Sequence, residues 1–118
     1  MELLQQTQQF QYHLNKLEEI YNANKPPESR KDKAFFQMVK TYTEPIYNLL
    51  KDWEDHALYA VKQRHVNLHP QQVTSTKENM ELLMMHSFYV DVKRKRYMEL
   101  NHSIHFILDK LLDELEED

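Results

Sequence analysis

Seven histidines in a chain of 118 residues make a metal centre the first chemistry to test. Glu99 and His102 form a Glu-x-x-His pair, and His105 follows one turn later, so on a helix the three could share a broad face. With His86 as a further imidazole, such a set would suit zinc, iron or nickel. A di-iron carboxylate bundle, however, needs a second Glu-x-x-His and two more glutamates. The sequence has no second pair. The residues therefore favour ordinary surface or boundary histidines, with a single-metal site on Glu99, His102 and His105 as the alternative.

Lys93, Arg94, Lys95 and Arg96 form the densest run of charge, a footprint for phosphates or for an acidic protein surface. Four consecutive helical residues cannot share one face, because a helix turns about 100° per residue. Few aromatics are interleaved for base stacking, and Tyr97 alone does not suffice. Ser87 and Ser103 lie near histidines, yet no oxyanion hole or orienting acid stands at a recognisable spacing, which disfavours a serine hydrolase. The tyrosines, Trp53, Met80, Met84 and Met85 fall on apolar stripes and read as core or boundary residues.

The composition narrows the classes further. The chain has no glycine and no cysteine. Without glycine, positive φ is costly, which disfavours phosphate-cradling loops, dinucleotide turns and nucleophile elbows. Without cysteine there is no disulfide, thiol nucleophile or thiolate zinc site. A formal net charge of -4 gives no global attraction to nucleic acid or anionic lipid. Neither a secretory leader nor an apolar run of membrane-spanning length is evident. The expected setting is cytoplasmic.

These residues must be positioned by helices. Leu3, Thr7, Phe10, Leu14, Leu17 and Tyr21 step by three and four and predict an amphipathic helix ending near Ala23. Asn24, Lys25, Pro26, Pro27, Glu28 and Ser29 break it. A second helix is expected from the N-cap Asp32 to about His65, with a kink or short break between Tyr42 and Pro45. A third begins at Pro70, or at Ser75 if its capping-box spacing to Glu78 decides. Its apolar positions from Met80 to Val90 cover more than half its girth, as a central helix requires.

The fourth helix carries Tyr97, Leu100, Ile104, Ile107, Leu111 and Leu115 in one stripe, widened by Leu108 and Leu112. A turn near Asp91, acting as N-cap, separates it from the third. One unbroken helix over residues 71–116 would run about 70 Å with little support from its shorter partners. The expected fold is all-α, an up-down-up-down antiparallel four-helix bundle forming one domain over residues 1–118. In that bundle the basic run would lie beside the carboxyl ends of the first and third helices, near Lys25, Arg30, Lys31 and Lys33. Asp113, Glu114, Glu116, Glu117 and Asp118 would lie near the amino ends of the same two helices, so opposite charges would complement opposite dipole ends.

The segments Phe35-Phe36-Gln37-Met38-Val39-Lys40, Val61-Lys62-Gln63-Arg64, Lys77-Glu78-Asn79, Ser87-Phe88 and Lys93-Arg94-Lys95-Arg96-Tyr97 resemble the pattern of the YppE-like family. These are small helical bundle proteins of Gram-positive bacteria related to Bacillus and Listeria. The resemblance spans residues 32–116, departs at Thr41, where relatives often carry proline, and implies a four-helix bundle in a bacterial cytosol. It implies no active site and no cofactor. The functional expectation is a non-enzymatic protein-interaction module with an unidentified macromolecular partner, a protein rather than a membrane. The alternatives are a metal-binding bundle on Glu99, His102 and His105, and nucleic-acid binding through Lys93, Arg94, Lys95 and Arg96.

Overall fold

A computed structural model describes residues 2–23 and 32–116 of the chain. The breaker cluster over residues 24–29, with Arg30, Lys31, Glu117 and Asp118, lies outside the described residues. Four helices follow one another: α1 (Glu2–Ala23), α2 (Lys33–Lys62), α3 (Pro70–Tyr89) and α4 (Arg94–Glu116). Among the described residues there is no strand, and no helix is long and apolar enough to cross a membrane.

Each helix buries the stripe that its spacing sets out. On α1, Leu3, Thr7, Phe10, Leu14, Leu17 and Tyr21 are all buried, joined by Gln6. On α4, Tyr97, Leu100, Ile104, Ile107, Leu108 and Leu111 are buried, while Leu115 packs half-buried at the edge. Trp53 sits at the centre with no exposed surface. Phe10 meets its ring edge-on at 4.9 Å, and its indole N–H donates to the Thr7 hydroxyl at 3.0 Å. A buried indole requires such a partner, since an unpaired N–H there costs about 1–3 kcal/mol.

Cross-helix contacts fix the direction of each neighbour. His56 meets Gln6 between α2 and α1, Tyr42 meets Phe88 between α2 and α3, and Tyr97 meets Tyr21 between α4 and α1. In each pair an early residue of one helix meets a late residue of the next, so the neighbours run antiparallel. α1 and α3 each pack against all three other helices, whereas α2 and α4 do not pack on each other. The bundle is a flattened rhombus with α1 and α3 across its short diagonal, and it measures 49 × 27 × 21 Å.

The structure decides three boundary expectations. Of the kink or short break expected between Tyr42 and Pro45, the break does not occur, because α2 is helical through Pro45. Pro45 and Thr41 are both exposed, so water can take the Thr41 carbonyl that a residue-45 N–H would otherwise have bonded. α3 starts at Pro70 and not at Ser75. His69 caps it, its Nδ1 accepting from the Gln71 N–H at 3.0 Å, while Gln72 Oε1 accepts from the His69 N–H at 2.9 Å. This capping box uses an imidazole in place of the usual hydroxyl or carboxylate. Finally, α4 begins at Arg94, so Asp91 precedes the cap position, which Lys93 occupies by accepting from the Tyr97 N–H.

Two turns solve the absence of glycine with strained residues. Arg64 at the end of α2 has φ 61° and Val90 at the end of α3 has φ 46°. After α2, the His65 N–H returns to the Ala60 carbonyl at 2.9 Å and the Arg64 N–H to the Val61 carbonyl at 3.0 Å. This is the Schellman pattern, which ordinarily recruits glycine at the left-handed position.

Candidate functional site: two charged tips

The short α3–α4 turn places the basic run at one tip of the bundle. Lys93, Arg94, Lys95 and Arg96 are all exposed. Arg94 Nη1 donates to the Asn22 side chain in the last turn of α1, and the Tyr21 hydroxyl donates to the Val92 carbonyl at 2.7 Å. The first turn of α4 therefore lies against the carboxyl end of α1. Cations oppose the dipole of their own helix here but complement the carbonyl ends of α1 and α3, each effect worth about 0.3–1 kcal/mol when exposed. Arg96 pairs with Glu99 at 3.7 Å. Both side chains are more than half exposed, so screening leaves the pair a small role in stability. Among the described residues, Lys33, Lys93 and Lys95 have no carboxylate partner.

The alternative metal set of Glu99, His102 and His105 does not assemble among the described residues. Among the described residues, no group of three or more His, Asp or Glu side chains is placed to hold a metal ion. Glu99 turns to Arg96, and His86 Nδ1 lies 2.6 Å from Asp91 Oδ1. His102 is exposed and His105 only partly buried. The spacing of Glu99, His102 and His105 spreads them over an outward face of α4 instead of gathering them at one point. His102 and Ser103 instead line an open groove of about 500 Å³ between α3 and α4, with Gln71, Ser75, Asn79 and Phe106. Ser87 is occupied structurally: its Oγ donates to the Leu83 carbonyl at 2.8 Å and lies 2.7 Å from the Tyr97 hydroxyl.

The opposite tip holds the acidic groups. Glu114 Oε1 accepts from the Asn67 N–H at 2.7 Å, tying α4 to the loop before α3, whereas Glu114 Oε2 is buried without a partner among the described residues. Glu114 also walls a cavity of about 450 Å³ with Glu2, His56, Tyr59 and His65. His56 Nδ1 lies 2.8 Å from Gln6 Oε1. A carbonyl oxygen can only accept, so this ring nitrogen carries the proton. Nothing in the sequence links Glu114 to His56 and Gln6, because the three come from separate helices and follow no common motif; sequence spacing recovers only the tip's charge.

Two further buried polar atoms have no partner among the described residues, His13 Nδ1 and Asn101 Nδ2. Burial holds the His13 pKa below its ordinary value, and burial likewise raises that of Tyr97.

The fold and its two charged tips define a small all-helical bundle. The chain belongs to the bacterial domain of unknown function DUF1798, whose family model matches residues 7–115. It is similar to the uncharacterized protein YppE of Bacillus subtilis strain 168, with 27% identity over 82 residues, covering 69% of this chain and 67% of YppE. The crystal structure of B. subtilis YppE superimposes with a TM-score of 0.82 at 25% identity, covering 98% of this chain and 93% of that one. Its solution NMR structure gives the same TM-score of 0.82 at 26% identity, covering 98% and 94%. The resemblance seen in the sequence is thus a family membership, and the family carries the fold without naming an activity.

Proposed function

We propose that this protein is a non-enzymatic interaction module of the bacterial cytoplasm whose basic tip docks an acidic surface of another protein. One observation carries the reading: Lys93 and Lys95 stand exposed beside Arg94 at the end of the bundle, with no carboxylate partner among the described residues. Uncompensated cations at a protein tip create a local positive potential that steers and selects an acidic partner. The absence of cysteine suits a reducing compartment. Nucleic acid fits less well, since Tyr97, the aromatic next to the run, is fully buried and offers no stacking face.

The test is photo-crosslinking in cells from a probe at residue 95, followed by binding measurements on the partner that is trapped. The expected partner is acidic, its affinity falls with salt, and Lys93→Glu with Lys95→Glu abolishes binding. Lys62→Glu, an exposed change at the far end of the molecule, leaves it intact. Equal binding by the charge-reversed variant overturns the proposal. Trapping of DNA or RNA in place of protein transfers the tip to nucleic-acid recognition.

A further inference from the structure

The entry to α3 holds a device that the basic tip does not explain. An α-helix starts with backbone donors that no carbonyl of its own can take. Pro70 at the first position has no N–H to satisfy. The next donor, the Gln71 N–H, is taken by His69 Nδ1 at 3.0 Å, and Gln72 Oε1 answers by accepting from the His69 N–H at 2.9 Å. Serine, threonine, aspartate or asparagine ordinarily caps in this way, with an oxygen that keeps its lone pairs at neutral and mildly acidic pH. An imidazole nitrogen accepts only while it carries no proton, so this cap requires a neutral ring with its proton on Nε2.

Protonation reverses that arrangement. Nδ1 becomes a donor facing a donor, and the ring sets a positive charge against the positive end of the α3 dipole. Among the described residues no carboxylate pairs with His69 to offset that charge. The charged and titratable groups that neighbouring elements bring to this end are Arg64 and His65 after α2, Glu2 of α1, and Lys110, Asp113 and Glu114 of α4, the last bonded to the Asn67 N–H two residues before the cap. The first turn of α3 does more than start a helix. Gln71 and Gln72 wall the groove of about 500 Å³ shared with His102, Ser103 and Phe106 of α4, and Gln71 Nε2 donates to Ser75 Oγ at 3.0 Å on the same wall. Histidine is the side chain whose charge changes between about pH 5 and 8. We propose that His69 is a proton-sensitive latch on the α3–α4 groove: the neutral ring holds the first turn of α3 closed, and mild acid frees that turn together with the groove wall it carries.

The experiment follows the full chain by amide hydrogen exchange and NMR between about pH 7.5 and pH 5, each rate divided by its sequence-intrinsic value at that pH. The expected result is that Gln71 and Gln72 lose about twofold to thirtyfold of their protection as the pH falls, the span that loss of a side-chain cap implies. The Phe106 ring signals shift with the same midpoint. His69→Asn, which keeps an uncharged acceptor at the cap, removes the pH dependence; His65→Gln and His102→Gln, both exposed changes, leave it in place. Ring nitrogen spectra at neutral pH show the His69 proton on Nε2. A proton on Nδ1 there, protection at Gln71 that does not change with pH, or an equal fall in His69→Asn overturns the inference. A fall that spreads evenly over all four helices also overturns it, because acid unfolding of the whole bundle needs no latch. Charge reversal of Lys93 and Lys95 leaves the titration unchanged, so the latch and the docking of an acidic partner stand or fall separately.

Discussion

Tyr21 of α1 and Tyr97 of α4 stack face to face, their ring centroids 3.9 Å apart and their planes 8° from parallel. Both hydroxyls are used: Tyr21 donates to the Val92 carbonyl, and Tyr97 meets Ser87. Since the single Ser87 hydroxyl proton points to the Leu83 carbonyl, the Tyr97 hydroxyl is the donor in that pair. This chain of contacts joins α1, α3 and α4 beneath the basic turn. Tyr97→Phe leaves the stack and removes the hydrogen bond, with an expected loss of about 0.5–1.5 kcal/mol in urea denaturation.

The same residue sets an alkaline limit. Burial raises the Tyr97 pKa in the folded protein, so the folded state keeps a proton that the unfolded chain releases near pH 10. Fewer protons are then bound on unfolding, and stability falls as pH rises above about 10 while remaining intact below it. Tyr97→Phe should flatten this part of the profile. A wild-type profile that is level between neutral pH and pH 11 would contradict it.

His13 acts in the opposite range. Desolvation lowers its folded pKa, so the unfolded chain takes up a proton at a pH where the folded chain does not. Stability is therefore full above about pH 6.5, falls as the pH drops below it, and levels off once the folded group also protonates. His13→Leu should be less sensitive than wild type over that interval in thermal melts at matched ionic strength. An unchanged slope would remove His13 as the cause.

Arg64 holds the left-handed position of a Schellman turn, with φ 61°, on the surface. Glycine adopts this conformation without the Cβ penalty, so Arg64→Gly is expected to gain about 1 kcal/mol net of its extra unfolded-state entropy. Val90 has φ 46° but packs half-buried against the core. Val90→Gly should gain less, or lose, because relief of strain is offset by lost burial. Chemical denaturation of the two variants side by side checks the contrast.

Pro45 lies on the exposed side of an uninterrupted α2. Pro45→Ala restores the N–H that can bond the Thr41 carbonyl and should stabilise the protein by about 1–3 kcal/mol. A destabilised variant would show that proline shapes the path of α2 in a way the core requires.

The apolar spacing made four helices legible because burial at three- and four-residue intervals leaves a direct trace in the chain. Leu3 to Tyr21 and Tyr97 to Leu111 are buried as their spacing implies. The turns were less legible because different chemistries compete for the same signal. Ser75 and Glu78 carry capping-box spacing yet lie inside α3, where His69 and Gln72 cap instead. Asp91 has the right type for an N-cap, but it lies in the α3–α4 turn beside His86. The spacing of Glu99, His102 and His105 was compatible with one face and silent on whether anything faces back. Among the described residues nothing gathers them. The cavity at Glu114 was hidden for another reason: Leu3, His56 and Glu114 line it only when three helices pack, and no local pattern encodes that meeting.

The rhombic packing has a consequence for how the molecule breathes. α2 and α4 do not pack on each other, while α1 and α3 pack on every other helix. Either outer helix can therefore peel away without disturbing its opposite number. Amide hydrogen exchange should then record two separate opening events of lower free energy, with the slowest deuterium uptake confined to the α1–α3 diagonal.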